Sequence, residues 1–599
     1  MSPTNKDRAG SFLLSATVDF PDDVRKGVYS HEGLDDMMAH LKRLGVRRVN
    51  WIYYGDLDQD SYWAGGAFYR NRYGPETLDR IGEPLAAAVQ AAHKNDLEIH
   101  GVVKPYDIGG SGSFPEGSAE SAKSITRRIG GTVQFLVPFL ERYPHTLIQR
   151  RPYKAPPGLS TLPIKKIRLL KRDASPTRIR KENLQIWTSD SNYRYERKRV
   201  DFTLKEAMEP APKEVRDSYD ALVTSKGAPV RTLTLEGLDL TDRYVVITTD
   251  FTDVTGDFTN TALGMLEAYG LGPEPIPVVV ASRSAMWDAP RDFRSHGLEF
   301  DSGFGHYLGD LDANNTTEKE NIRWRSASDD GVIAFSRGKN ETLASAPCEA
   351  YPEVIKLWSG WIDKTLQTGV DGLSVRLNSH GGCNDEPNEY GFNEPLLEEY
   401  RQRYGVDALE DDAVLDRLPR LRGEHVTAFL RDTAAKVRRA GKKMQIHMHP
   451  DAFRPNPSPR DRYWSLTNIN YDWKAWLGEG LADGSIMRPS RFEGVPNPAP
   501  GQAKRAGISH TLSDAVVQDM LASTGKAGVP VYFNGFIHLM TAEQYVSEME
   551  TTFRDERFAG FDLYEVAAIL GPNSNGTRVE ELDGGFDKIM AKSQELGIA

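Results

Sequence analysis

The chain has 599 residues, and 74 Lys and Arg against 85 Asp and Glu give it a formal net charge of −11 at pH 7. That acidic balance argues against nucleic-acid and anionic-membrane partners, because both bind basic surfaces. Its two cysteines, Cys348 and Cys383, exclude a disulfide framework and a zinc-finger cage. No run approaches the roughly 18 apolar residues of a transmembrane helix. The polar N-terminal stretch has no signal-peptide core, so we expect a cytoplasmic protein, or one exported with a leader not present in this chain.

Strand and helix patterns alternate over the first part of the chain and again from Tyr351 onward, as they do in a parallel sheet. Leu34, Met37, Met38 and Leu41, for example, have the spacing of an amphipathic helix. The predicted strands are Phe12–Phe20, Val49–Tyr54, Leu97–Val103, Val370–His380, Lys443–His449, Gly484–Arg488, Val529–Ile537 and Phe561–Val566. Eight such repeats predict an α/β fold, the (β/α)8 TIM barrel, whereas a doubly wound sheet rarely carries so many.

The alternation breaks between the third and fourth strands. A Pro- and Gly-rich stretch over 152–162 is followed by short alternating strands without helices, which predicts an antiparallel β-sandwich-like domain inserted in the barrel. We expect a first barrel part over 10–150, the inserted β-rich domain over 151–285, a long loop region over the barrel at 286–350, and a second barrel part over 351–599. Glycan binding, shaping of the cleft and oligomer formation are all open roles for the insert.

Polar side chains end several of the predicted strands, which is where TIM barrels place their active sites. Successive strand residues face opposite sides, so Arg376, Asn378 and His380 share one face of strand four, and strand five alternates in the same way. The polar candidates for substrate binding are Asp19, Lys104, Arg376, Asn378, His380, His447, His449, Asp451, Asp472, Asn534 and His538. So many polar groups are costly to bury unless they contact one another or a polar ligand.

Aromatic residues gather near the same strand ends. Tyr54 ends strand two, Trp63 lies in the loop after it, and Trp473 and Trp476 follow strand five. Sugar rings stack their C–H faces on aromatic planes, and their hydroxyls bind polar side chains. The pattern favours a carbohydrate site over a phosphate or hydride site, although ordinary packing explains Trp473 and Trp476 equally well.

Six segments resemble a known group of barrels: RRVNWIYYGD, GVDGLSVRLNSH, YGFNEPLLEEYRQRYGVD, RRAGKKMQIHMH, NINYDWKAWLGEGLADG and GFDLYEVAAIL. They are similar to bacterial glycoside-hydrolase-like TIM-barrel proteins described as family-10-glycosylhydrolase-like, over residues 10–145 and 350–570. The resemblance implies a glycan substrate. Related barrels often have an aspartate where this chain has Arg376, so either the carboxylates come from elsewhere or catalysis is lost.

Glycoside hydrolysis uses two carboxyl groups on opposite sides of the scissile bond. Glu565, directly after strand eight, is the best-placed candidate, and Glu389 or Glu394 in the loop after strand four is the predicted second. The Asn-Glu-Pro segment around Glu394 resembles the acid/base segment of many retaining barrel glycosidases. Asn393 as a helix N-cap, with Glu394 near the positive helix end, explains the same residues structurally.

A metal site is an alternative interpretation of strand five. His447 and His449 share a strand face and would bind zinc with a third ligand such as His380 or His538. The pair resembles that of amidohydrolase barrels, which carry it on the first strand rather than the fifth, and no metal is predicted.

The sequence therefore predicts a glycoside hydrolase that cleaves a poly- or oligosaccharide by carboxylate acid/base chemistry, without a cofactor. An Arg and several His at the mouth also suit a substrate bearing carboxylate or sulfate. The alternatives are a metal-dependent hydrolase using the His-x-His pair and a non-catalytic glycan-binding barrel, which Arg376 suggests. No oligomeric state is predicted.

Overall fold

A computed structural model describes most of the chain. The described residues are 5–24, 26–53, 73–106, 109–112, 133–136, 139, 142–152, 162–171, 173–190, 196–216, 222–249, 266–280, 333–337, 342–377, 387–453, 468–489, 492–493, 504–505, 507–537, 540–582 and 584–599. None of the helices within these ranges combines the length and apolar character needed to cross a membrane.

Eight parallel strands close into a barrel, in chain order around the ring. They are β1 Leu13–Val18, β2 Val46–Tyr53, β3 Glu98–Val103, β4 Gly372–Val375, β5 Lys443–Met448, β6 Gly484–Met487, β7 Val531–Phe536 and β8 Gly560–Tyr564. The ring closes where β8 pairs with β1, with Thr17 opposite Tyr564. The predicted (β/α)8 barrel is confirmed, and β4 differs from its prediction by ending at Val375 rather than His380.

Helices cover the outside of the barrel because their apolar stripes pack on the strands. The helix His31–Arg43 buries Leu34, Met37, Met38 and Leu41, as predicted. The α-helices are Asn5–Ser11, Phe20–Val24, His31–Arg43, Gly74–Ile81, Pro84–Lys94, Pro352–Gln367, Glu394–Tyr404, Val414–Arg439, Pro450–Phe453, Trp473–Gly478, Ile508–Ser513, Ala515–Ala527, Ala542–Arg554 and Gly585–Leu596.

Two five-stranded antiparallel sheets lie between β3 and β4 in the sequence. The first has the order Thr203–Pro210, Pro229–Leu240, Ile164–Leu170, Leu266–Tyr269 and Pro275–Ile276; the second has the order Val279–Val280, Ile333–Ser336, Tyr244–Thr249, Leu184–Ser189 and Glu196–Lys198. Ile167 and Leu235 of the first sheet share one buried apolar cluster with Ile186 and Ile247 of the second. The two sheets therefore pack on each other.

The stretch predicted as a loop region, 286–350, contains two strands. Ile333–Ser336 pairs with Tyr244–Thr249 of the second sheet, so that sheet extends beyond the predicted boundary at residue 285. Thr342–Pro347 pairs with Leu147–Gln149. Both segments are short and form strands through partners distant in sequence, which local patterning does not reveal. Residues 286–332 and 338–341 lie outside the described ranges.

Shorter pairs of strands complete the described structure. They are Gly109–Gly112 with Val133–Leu136, Val215–Arg216 with Leu222–Thr224, Phe492–Glu493 with Lys504–Arg505, and Leu570–Pro572 with Val579–Glu581.

Candidate active site

A buried carboxylate ties together four neighbouring barrel strands. Asp562 of β8 accepts hydrogen bonds from Ser15 Oγ at 2.7 Å, Thr17 Oγ1 at 2.8 Å, Asn50 Nδ2 at 2.9 Å and Asn534 Nδ2 at 2.6 Å. These donors come from β1, β2 and β7, and Asp562 is completely buried. Four donors satisfy both carboxylate oxygens, so we interpret Asp562 as a structural hub rather than a reacting group. Asn534, predicted to bind substrate, belongs to this hub.

A second polar cluster lines the opposite wall of the lumen. Ser374 Oγ donates to Gln445 Oε1 at 2.9 Å, and His100 Nδ1 lies 3.2 Å from the same oxygen. A Cβ at Gly372 would lie 2.5 Å from the His100 ring, so only glycine leaves room for the imidazole. Burial lowers the pKa of His100 to about 3, and the positive charge of Arg48 adds to that lowering.

This pKa predicts a loss of stability in mild acid. Above the ordinary histidine pKa of about 6.5, His100 is neutral in both the folded and unfolded states. Between about pH 6.5 and pH 3 only the unfolded state binds the proton, so the free energy of unfolding falls by about 1.4 kcal/mol per pH unit as the pH decreases. His100→Gln should remove this part of the acid destabilisation, which amounts to about 2 kcal/mol between pH 7 and pH 5. Urea unfolding at the two pH values measures it.

His31→Gln is the matched control, since His31 is exposed. It should leave the pH dependence of the wild type unchanged. If the free energy of unfolding changed with pH equally in His100→Gln and the wild type, a neutral, buried His100 would be contradicted.

Three basic side chains follow three barrel strands at the carboxyl end. Lys104, Arg376 and Arg488 come directly after β3, β4 and β6, and they are only 2%, 4% and 3% exposed. The backbone continues the parallel ladder through two of them, because Arg376 N donates to Val103 O at 2.9 Å and Arg488 N to Met448 O at 3.0 Å. Three basic groups thus follow strands β3, β4 and β6 at this mouth of the barrel.

His447 of β5 lies among these three basic residues. Burial lowers the pKa of His447 well below its ordinary value, and the positive charges of Arg376, Arg488 and Lys104 add to that effect. The imidazole is therefore neutral and fully buried. Neither of its ring nitrogens has a hydrogen-bond partner among the described residues. The ring of His449, two residues further along, stacks at a centroid distance of 6.5 Å.

Tyr564, the last residue of β8, interacts with two arginines and two carboxylates. Arg376 Nη1 donates to Tyr564 Oη at 2.9 Å, and the Arg488 guanidinium lies 4.7 Å from the Tyr564 ring centroid. Burial raises the pKa of Tyr564 well above its ordinary value; the charges of Glu565 and Asp19 raise it as well, against the opposing arginines. The two carboxylates and the two arginines thus act on one phenol.

Asp19 and Glu565 are the carboxylates that directly follow β1 and β8, which are adjacent in the barrel. Asp19 is buried and Glu565 is half-buried. The peptide bond between Tyr564 and Glu565 is cis. Of the predicted site residues, the structure brings together Asp19, Lys104, Arg376, His447, His449 and Glu565. Arg488 and Tyr564 belong to the same mouth but were not predicted.

Three other predicted carboxylates lie near helix starts or beside an arginine outside the mouth. Glu394 is exposed as the first residue of its helix, and Asn393 before it accepts from Gln149 N at 3.0 Å and donates to Leu147 O at 2.8 Å. Glu389 Oε2 lies 3.6 Å from Arg150 Nη2. Asp472 caps the helix Trp473–Gly478 by accepting from Ala475 N at 3.0 Å. None of these contacts involves the residues of the mouth, and the roles predicted for Glu389, Glu394 and Asp472 stay predictions.

Several predicted residues lie outside the described ranges, namely Tyr54, Trp63, Asn378, His380 and His538. Asp451 lies in the short helix Pro450–Phe453. Trp473 and Trp476 are buried packing residues, as the alternative interpretation held.

The described residues contain no group of three or more His, Cys, Asp or Glu side chains able to hold a metal ion. Around His447, moreover, three positive charges repel a divalent cation. The charges near His447 therefore disfavour the His-x-His metal site, whose third-ligand candidates, His380 and His538, lie outside the described residues.

Comparison with known proteins gives structural likeness only. No family profile matches the chain, and no curated protein matches it. The chain is similar to the catalytic domain of a β-amylase from Paenibacillus polymyxa, with 8% identity, 97% of this chain and 98% of that chain covered, and a TM-score of 0.37. It is also similar to a β-galactosidase from the psychrophilic Marinomonas ef1, with 8% identity, 98% of this chain and 59% of that chain covered, and a TM-score of 0.39.

A third likeness is to an endo-β-1,4-mannanase from Thermotoga petrophila, with 10% identity, 41% of this chain and 62% of that chain covered, and a TM-score of 0.21. All three neighbours are glycoside hydrolases by name. TM-scores this low carry no inference about the activity of this chain, which depends on the residues at its mouth.

Proposed function

We propose that this protein is a glycoside hydrolase in which Glu565 and Asp19 form the carboxylate pair. The observation that carries the proposal is the position of these two residues, directly after the adjacent strands β8 and β1 at the carboxyl end of a closed barrel. Neighbouring strands are about 4.8 Å apart, so the two side chains start from positions close enough to flank one glycosidic bond.

The chemistry of this reaction needs the two carboxyl groups in different roles. One protonates the leaving oxygen, and the other attacks the anomeric carbon or activates water. The charges of Asp19 and Glu565 both raise the pKa of the Tyr564 phenol, and those of Arg376 and Arg488 lower it. This pairing replaces Glu389, which lies beside Arg150, and Glu394, which is exposed at a helix start, as the second carboxylate.

The resemblance to family-10-glycosylhydrolase-like barrels supports a poly- or oligosaccharide substrate. We further propose that the two antiparallel sheets between β3 and β4 form a domain inserted in the barrel. Their shared apolar cluster, which contains Ile167, Ile186, Leu235 and Ile247, supports a core of its own. Binding of glycan chains by this domain would bring long substrates to the mouth.

A substrate screen tests the proposed activity. The purified protein is incubated with neutral and acidic polysaccharides and oligosaccharides, and new reducing ends are measured, with Asp19→Asn/Glu565→Gln as the blank. We expect the wild type to release reducing ends from at least one glycan and the double variant to release none. Glycan binding without product would overturn the proposal in favour of a non-catalytic barrel, and equal release by the double variant would overturn the carboxylate assignment.

A further inference from the structure

We infer that His447 and Asn534 bind one hydroxyl-bearing substituent of the substrate sugar inside the barrel lumen, directly beneath the mouth. This inference rests on the proposed function and adds to it the residues that recognise a neutral part of the substrate. It follows from the polar atoms that these two side chains leave without partners and from their positions in the barrel.

Both side chains are completely buried and incompletely hydrogen-bonded. Neither ring nitrogen of His447 has a hydrogen-bond partner among the described residues. Asn534 donates through Nδ2 to Asp562 at 2.6 Å, but its Oδ1 likewise has no partner in this part of the chain. Buried polar atoms are nearly always paired, because leaving one without a partner is unfavourable. These three atoms therefore indicate a bound polar group.

The strand register places the two side chains in one layer of the lumen. His447 shares its strand face with Gln445, which forms hydrogen bonds inside the lumen. His447 lies opposite Ile486, and Ile486 lies opposite Tyr532, two residues before Asn534. The register of a (β/α)8 barrel shifts by about one residue per strand, so that alternate strands supply each layer of inward side chains. His447 of β5 and Asn534 of β7 therefore belong to the same layer.

A hydroxyl group complements the atoms that this layer leaves without partners. The His447 ring is neutral, so it has one N–H donor and one acceptor nitrogen, and Asn534 Oδ1 is an acceptor. A single hydroxyl can accept from the imidazole N–H and donate to Asn534 Oδ1, which bridges the two side chains. Because both side chains are completely buried, a substituent of the sugar rather than its whole ring reaches them.

The position of this layer connects the bound substituent to the proposed cleavage. Arg488 of the mouth lies two residues beyond Ile486, the register partner of His447, so the layer lies directly beneath the mouth. Asn534 lies on β7, which pairs with β8, and Glu565 directly follows β8. A sugar held by one substituent in this layer therefore has its ring at the mouth, near the proposed carboxylates. Such positioning favours reaction because it fixes the bond relative to the reacting groups.

Nuclear magnetic resonance of the histidine rings tests the inference in the Glu565→Gln variant, in which turnover does not interfere. The probes are the methyl glycosides of glucose, galactose, mannose and xylose, added to protein labelled with ¹⁵N at histidine. We expect at least one glycoside to bind and to shift the ring signals of His447, which are identified by their loss in His447→Gln. An ordered water molecule only would leave these signals unchanged at saturation and would overturn the inference, as would the absence of binding by every probe.

Substitutions of His447 in the same background separate binding from a structural role. His447→Phe keeps a planar ring without hydrogen-bonding atoms, so it should raise the Kd of the bound glycoside about tenfold, the loss of one hydrogen bond. His447→Gln restores a donor and an acceptor and should stay within about threefold of the parent Kd. His510→Phe, at an exposed helix position, is the matched control and should leave the Kd unchanged. An unchanged Kd in folded His447→Phe would overturn the inference.

Deoxy derivatives of the bound glycoside then identify the hydroxyl. The derivative that lacks it should bind the parent and His447→Phe with the same Kd, while the other derivatives keep the difference of about tenfold. A difference kept by every deoxy derivative would overturn the inference. Binding that depends on His447, without product release by the wild type, would instead overturn the proposed hydrolysis and leave this binding site standing.

Discussion

Glu565→Gln should lower kcat on the cleaved glycan by about 10²- to 10⁴-fold, the usual contribution of a positioned acid or base. Glutamine keeps the size and hydrogen-bonding capacity of the side chain but neither ionises nor donates an acidic proton. Glu565 is half-buried, and it follows a strand that pairs directly with the strand before Asp19. Initial rates of reducing-end release, measured over a range of substrate concentrations, give kcat and KM separately.

Glu389→Gln and Glu394→Gln are the matched controls for this substitution. Glu394 is exposed at a helix start, and Glu389 lies beside Arg150, so both variants should keep nearly the full kcat. Full activity in Glu565→Gln would refute the assignment. A comparable loss of kcat in Glu394→Gln would instead assign the second carboxylate to the segment after β4.

Arg422→Ala should lower the free energy of unfolding by about 3–5 kcal/mol, the cost of leaving one partner of a buried ion pair without the other. Arg422 and Glu349 are both completely buried, with Nε to Oε1 at 2.6 Å and Nη2 to Oε2 at 3.1 Å. Arg422 Nη1 also donates to Asn468 O at 3.0 Å, and Tyr106 Oη donates to Glu349 Oε2 at 3.0 Å. The pair thus joins the helix Val414–Arg439 to segments that flank the barrel.

Two further variants test whether the loss of stability depends on the burial of the ion pair. Arg431 and Glu479 form a solvent-exposed pair at 2.6 Å, with side chains 53% and 36% exposed, so Arg431→Ala should cost less than about 1 kcal/mol. Glu349→Gln/Arg422→Met should be less destabilised than the sum of the two single variants, because no buried charge is left alone. Urea unfolding measures the wild type, these variants and the single variants Glu349→Gln and Arg422→Met, and similar losses in Arg422→Ala and Arg431→Ala would contradict a special role for the buried pair.

The barrel could be predicted because its signals are local. Apolar runs and helical spacing are properties of short windows, and the spacing of Leu34, Met37, Met38 and Leu41 predicts the stripe that the helix His31–Arg43 buries. Alternation along a single strand is also local, so it predicts which residues of strands four and five share a face. Strand pairing between distant segments, as for Ile333–Ser336, depends on tertiary contacts instead.

The site was only partly predictable for the same reason. Arg488 was missed because its strand is short and the preceding residue on the same face, Ile486, is apolar. Asp562 offered a signal, a carboxylate inside an otherwise apolar strand, but its partners lie on three other strands. The sequence leaves the roles of Glu394 and Asp472 open, because an acidic residue at a helix start gives the same pattern whether it stabilises the helix or binds a substrate.

Cleavage in water labelled with heavy oxygen tests the central claim most directly. Hydrolysis by the Asp19–Glu565 pair predicts that mass spectrometry finds one labelled oxygen at the anomeric carbon of each new reducing end. It also predicts no unsaturated sugar at the other new end. Products with an unsaturated sugar and no label would show elimination rather than hydrolysis, and would contradict the account.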